Sequence, residues 1–110
     1  MKPAEAKNVK IVVLPFLIPT WAAGQTWGHH IFLSQSYVDN SWAPSTRLIA
    51  HELVHVDQWQ MQGWKFPFKY AYQLLVNGYE NNSFEVEARK WENTDEYQSL
   101  AETVLDNHEL

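Results

Sequence analysis

Residues 48–56 read Leu-Ile-Ala-His-Glu-Leu-Val-His-Val, and no other stretch constrains the fold as much. Leu48, Ile49, Ala50, Leu53, Val54 and Val56 make a helix here apolar nearly all round, so it belongs in a core. His51, Glu52 and His55 go into that core with it. Two imidazoles and a carboxylate are costly there unless a partner satisfies them. On a helix, positions i and i+4 share one face, one turn apart. His51 and His55 can therefore reach a single zinc ion at about 2.0–2.1 Å. Glu52 is offset by one residue and can address a water at the metal instead. It would take the proton of that water, direct it at a scissile carbonyl and return the proton to the leaving amine. The plain alternative is a pair of hydrogen-bonded core histidines beside a salt-bridged Glu52. Against it, His-Glu-x-x-His arises by chance in fewer than about one in a hundred chains of this length.

Composition narrows the chemistry further. The chain has 110 residues and no cysteine, so any metal rests on His and carboxylate. That length fits one domain, residues 1–110. A net charge of −5 without a basic run argues against a nucleic-acid partner. Lys2, Lys7 and Lys10 precede an apolar stretch, Ile11 to Ile18, and Ala22-Ala23-Gly24 follows, which has the outline of a secretory signal. Pro15 and Pro19 interrupt that stretch and Glu5 lies in its basic region, so a first strand is the preferred reading. No stretch reaches the roughly 18 apolar residues of a membrane span, and the default location is cytoplasmic.

Along the chain, Val9 to Leu14 reads as a buried strand, Pro15 to Gln25 as loop, and His30 to Ser34 as a second strand. Asp39-Asn40-Ser41 reads as a turn. A helix is expected from an N-cap at Ser41, with Pro44 in its first turn, to Gln62, and Gly63 stops it. A second helix runs from Pro67 to Asn77 before Gly78. Asn82 caps a third, Phe84 to Glu92, and Thr94 starts a fourth reaching Leu105. The class is α+β: a short N-terminal sheet, then three or four helices, the central one carrying His51-Glu52-Leu53-Val54-His55.

Catalytic zinc takes three protein ligands and keeps one position open. Glu85 and Glu87 are both candidates for the third, and two residues apart on a helix they cannot both face the metal. Glu85 also stands three residues after Asn82, where a capping-box Glu is common, and an ordinary Glu85–Arg89 surface pair is possible.

The motif and the stretch Phe84-Glu85-Val86-Glu87-Ala88-Arg89 together resemble the gluzincin metallopeptidases. Those proteins carry a ligand Glu on a second helix, often within Glu-x-x-Ala-Asp. The resemblance spans roughly Gly28 to Trp91 and implies a minimal zincin-like domain with one Zn²⁺. It assigns His51, His55 and Glu85 as ligands and selects Glu85 over Glu87, because Ala88 falls at the small-residue position. Arg89 replaces the family's Asp, which usually supports a His ligand, so that supporting role passes to another residue; Asn77, Asn81 and Asn82 are the candidates. The resemblance also implies an oxyanion-stabilising Tyr or His, for which Tyr79 is chosen over Tyr70, Tyr72 and Tyr97. It implies a peptide or protein substrate laid along an edge strand, taken to be His30 to Ser34.

Other residues are read as structural. His29 and His30 point to opposite faces of a strand and cannot share a metal. Trp59 and Trp91 pack helix interfaces. His108 is solvated near the terminus, unless the tail Asn107-His108-Glu109-Leu110 reaches into the cleft. The rival functions are a metal-bearing domain without peptidase activity, a helical interaction domain with a chance motif, and a non-haem iron oxygenase, whose facial triad also uses two His and a carboxylate.

Overall fold

The β-branched run after Val9 forms β1, Lys10–Leu14, in the computed structural model, which describes residues 8–18, 20, 22–40 and 45–108. β1 pairs in parallel with β3, His30–Ser34, setting Ile11 against Ile31 and Val13 against Leu33. The signal-like apolar stretch thus supplies a strand of the sheet, and Leu17 beyond it is buried. Between β1 and β3 in sequence lies β2, Gly24–Trp27, antiparallel to β3. The spatial order is β1-β3-β2.

Two expectations are corrected here. The loop expected to run to Gln25 ends earlier, because Gly24 and Gln25 open β2. Gly-Gln-Thr-Trp is short and begins with glycine, so local strand propensity is weak. The hairpin holds it in place: Trp27 faces His30 across a two-residue turn whose first central residue, Gly28, has φ 61°. Tight hairpin turns need that left-handed conformation, which other residues resist. The second correction is that His30 to Ser34 is the central strand, and an edge is β2. Ile31 and Leu33 of β3 are fully buried.

Ser34 ends β3 and caps a single-turn helix α1, Gln35–Asp39, by accepting from the Tyr37 amide. The expected start at Ser41 and Pro44 lies outside the described residues. The central helix α2 spans Thr46–Gln62, and Ser45 is its N-cap, accepting from the amides of Arg47 and Leu48. Gly63, with φ 63°, ends it as expected. A 3₁₀ turn, Gly63–Lys65, leads into α3, Phe66–Asn77. Then come α4, Ser83–Trp91, capped by Asn82, and α5, Asp95–Asn107, after Thr94.

α2 lies between the sheet and the pair α4 and α5. From Ile49 to Gln58 every residue is buried except His51, which is partly exposed. Leu53, Val54 and Val56 meet Ile31 and Leu33 of the sheet and Ala101 and Val104 of α5 in one core. Burying Asp57 there requires a partner, and the buried Tyr97 hydroxyl donates to its Oδ2 at 2.5 Å. His108 is not solvated. Its Nε2 accepts from the Ile11 amide at 3.2 Å and its Nδ1 faces the Val104 carbonyl at 2.8 Å. That ties the end of α5 to β1, across the sheet from β2. Among the described residues, no helix is long and apolar enough to cross a membrane.

Candidate metal centre

The helical spacing of α2 turns His51 and His55 the same way, with ring centroids 4.9 Å apart. α4 crosses in front of them and presents one oxygen to both. Glu85 Oε1 lies 2.9 Å from His51 Nε2 and 3.1 Å from His55 Nε2. Ligand atoms around a tetrahedral zinc stand about 3.3 Å apart, so these contacts need to open only slightly to admit the ion. The donor set, two imidazole nitrogens and a carboxylate, is one that zinc takes. His51, Glu52 and His55 also form a group able to hold a metal, with ligand atoms within 4.8 Å of one another. Glu52 is otherwise engaged: Thr26 on β2 donates to its Oε1 at 3.1 Å. Glu85 is the carboxylate that touches both rings. It serves no capping box, since the Asn82 amide bonds the Tyr79 carbonyl.

Each imidazole is held from behind. His51 Nδ1 donates to Glu92 Oε1 at 3.0 Å, and His55 Nδ1 to Gln58 Oε1 at 2.7 Å. These bonds fix the rings with Nε2 towards Glu85, the supporting role that partners of metal-binding histidines serve. The supporting Asn expectation is therefore corrected. Asn82 binds the Phe84 amide and the Tyr70 carbonyl, joining α4 to α3, while Asn77 binds Gln73. Glu87 also finds a use, because Gln58 Nε2 donates to it at 2.9 Å and to the Phe84 carbonyl at 3.0 Å. Arg89 bonds the Glu80 carbonyl rather than Glu85. Arg47 takes the other oxygen of Glu92 at 2.5 Å.

Tyr70 on α3 donates to Glu85 Oε2 at 2.5 Å, leaving Oε1 for the histidines. Tyr79 lines the same cleft, 45% exposed, as does Tyr70. Tyr72 is exposed on the outer side of α3, and Tyr97 is buried against Asp57. His29 lies in the hairpin turn and His30 heads β3, both away from the cluster. Trp59 packs as expected, against Trp27 and Phe66, and its indole N–H donates to the Thr26 carbonyl at 3.1 Å. Trp91 packs against Tyr97.

Burial opposes charge on His55, but Glu85 and Glu52 outweigh it and push its pKa up to about 9. His51 shifts upward in the same way, burial again opposing and the Glu85 bond prevailing. Burial also disfavours the charged form of Glu85, yet its bonds to His51, His55 and Tyr70 hold the carboxyl well below the usual range. Glu52 shifts the other way. Desolvation dominates and raises its pKa above the ordinary carboxylate value. Tyr79 is pushed up to about 12, first by burial and then by the Glu85 and Glu52 charges.

These groups floor a cleft of about 820 Å³, within the usual range for a ligand site. Residues 22–27, including β2, form one wall, and Tyr70, Leu74 and Tyr79 the other. One end holds Ser45 and Arg47, the start of α2; the other holds Trp59, Phe66 and Pro67.

Some of this could have been found in the chain. Gln58 follows His55 by three residues, and Glu92 follows Glu85 by seven, two turns along one face. No local pattern points to Tyr70 or Thr26, which reach the site from other elements.

In a comparison with protein families, the eCIS core domain matches residues 20–63. That family is zincin-like and related to metallopeptidases. The matched span takes in β2, β3, α1 and all of α2 with His51, Glu52 and His55. Glu85 and Glu92 lie beyond it. No curated protein and no solved structure matches the chain.

Proposed function

We propose that this zincin-like domain is a zinc-dependent peptidase of the gluzincin type, with His51, His55 and Glu85 holding the metal and Glu52 as general base. The observation that carries the reading is the division of labour between two buried carboxylates. Glu85 touches both imidazoles, while Glu52, one residue after His51, faces the cleft beside them and is held by Thr26. A site that merely stored a metal would have no use for the second carboxylate.

When bound, zinc supplies Lewis acidity, making a water nucleophilic near neutral pH and stabilising negative charge on oxygen. The chain supplies the rest. Thr26 occupies Glu52 Oε1, so Oε2 is the atom left to take a proton from the attacking water. Burial raises the proton affinity of Glu52 towards what a base working near neutrality needs. The same oxygen then returns the proton to the departing amine. Glu92 and Gln58 keep both Nδ1 atoms protonated and both Nε2 atoms turned to the metal position. Tyr70 restrains Glu85, and Tyr79, on the wall of the cleft, is the hydroxyl proposed to meet the oxyanion. An extended peptide substrate would lie along β2, the strand that forms the cleft wall.

The test compares metal content and hydrolysis of a mixed peptide library in wild type, Glu52→Gln and Glu85→Ala. The expected result is about one zinc per chain and cleavage in wild type. Glu52→Gln should keep the metal and lose about 10²–10⁴-fold in rate, and Glu85→Ala should lose affinity for zinc. Zinc binding with no cleavage beyond that of Glu52→Gln would reduce the reading to a metal-binding domain. A wild type that binds no metal would end it.

A further inference from the structure

Helix α3 is apolar on two opposite sides. Phe66, Tyr70 and Leu74 face the body and the cleft, and Phe66 is its one buried residue. Phe68, Tyr72 and Leu75 recur at helical spacing on the other side, 69%, 63% and 86% exposed. Val76 is exposed too, as are Met61 in the last turn of α2 and Trp64 in the 3₁₀ turn, with Trp64 against Phe68. A groove of about 310 Å³ opens there between Phe68, Tyr72 and Phe84. An exposed apolar face of this kind marks an interaction site, and among the described residues nothing covers this one.

Charge indicates what does. Residues 58–79 contain Lys65 and Lys69 and no Asp or Glu, whereas the other 88 residues carry 13 acidic side chains against six basic ones. The exposed apolar face therefore lies in a stretch of positive balance within an acidic chain. A second copy is a poor occupant. Packing α3 on α3 would gather four lysines, and neither copy's 58–79 stretch offers a carboxylate to meet them. A protein partner is favoured less than a lipid one, because lysine is depleted from protein interfaces. At a lipid surface, lysines extend their stems along apolar groups and place the ammonium among anionic headgroups. Trp and Tyr rings such as Trp64 and Tyr72 settle at the same depth.

We infer that the outer face of α3, with Trp64, Phe68, Tyr72 and Leu75 inserted and Lys65 and Lys69 at the headgroups, docks this domain on an anionic phospholipid membrane. The helix lies in the interface and does not span. Tyr70 and Leu74 project from the opposite side of α3, so the cleft stays open to solvent on a docked molecule. The inference is independent of peptidase activity.

Flotation of the whole chain with phosphatidylcholine vesicles, with and without phosphatidylserine, tests it. Binding should be several-fold stronger to the vesicles with phosphatidylserine and should weaken as salt is added. A Phe68→Ser, Leu75→Ser variant should lose at least about tenfold in partitioning, since both apolar insertions are removed. A Lys65→Glu, Lys69→Glu variant should lose the preference for phosphatidylserine. Both sets of residues are exposed, and circular dichroism matching wild type establishes that the variants fold. Failure to float with either vesicle overturns the inference, as does flotation unchanged by both variants. So does a concentration-dependent dimer in sedimentation that Phe68→Ser, Leu75→Ser abolishes, because a second copy would then be the cover.

Discussion

Helices α2 and α3 differ more in their surroundings than in their sequences. Each is apolar on most sides, and each sends aromatic or imidazole rings into the same cleft. Yet α2 is buried from Ile49 to Gln58 apart from His51, while α3 buries only Phe66. Topology makes the difference. α2 lies under a three-stranded sheet and is backed by α4 and α5, so apolar neighbours enclose it. α3 enters from a turn that begins with Gly63 and leaves by Gly78, touching the body along one side. An apolar pattern therefore records that a helix needs covering, and the placement of the other elements decides what covers it. The polar groups show the same contrast. In α2 the buried Glu52 and His55 and the half-buried His51 are tolerable because α4, β2 and Gln58 answer them. On the outer side of α3, Lys69 donates to Gln62 Oε1 at 2.6 Å, while Phe68 and Leu75 stay largely exposed.

The comparison can be tested by perturbing the two helices in matched ways. The largest effect is expected at Leu53, fully buried under the sheet. Leu53→Ala should cost about 2–5 kcal/mol in denaturant unfolding, and a cost below 1 kcal/mol would mean that α2 is not the centre of the core. Next comes the metal. Excess zinc at about 100 times its Kd should stabilise the fold by about 2.7 kcal/mol. Thermal unfolding with and without a chelator reads this directly, and Tm values that coincide would exclude a site formed only in the folded chain. Glu92→Gln should weaken zinc binding about 10–100-fold, the usual effect of removing a residue that orients a His ligand. Titration against a competing chelator checks it, and an unchanged affinity would mean that the Glu92 bond to His51 Nδ1 does not position the ring. The smallest effect is expected at Leu75, 86% exposed. Leu75→Ser should change stability in lipid-free buffer by no more than about 0.5 kcal/mol, and a larger loss would reveal a cover on α3 within the chain itself.

Much of the site was readable before any fold was known, and the reason lies in its spacing. His51, Glu52 and His55 share one turn of helix, and the apolar residues around them demand burial. Gly63, Gly78 and Asn82 mark helix ends through backbone preferences that need no distant neighbour. Glu85 was less secure. Spacing alone left Glu87 open, and the gluzincin resemblance chose between them. Glu92 is masked in the sequence, because a Glu at the end of a helix looks like an ordinary surface charge. Arg89 stands at the position where the resembled family has Asp. In the fold, Arg89 turns to the Glu80 carbonyl and Glu92 supports His51.

By itself the sequence determined the α+β class, the buried helix α2 and the paired histidines, because these depend on residues within a few positions of one another. Tertiary structure alone decided that β3 is central and β2 forms the cleft wall, since strand order follows from pairing between distant segments. It also decided that Thr26 meets Glu52, that Tyr70 meets Glu85, and that α3 turns an apolar face to solvent. Those outcomes rest on where separate elements come to lie, and periodicity within one element does not encode its distance from another.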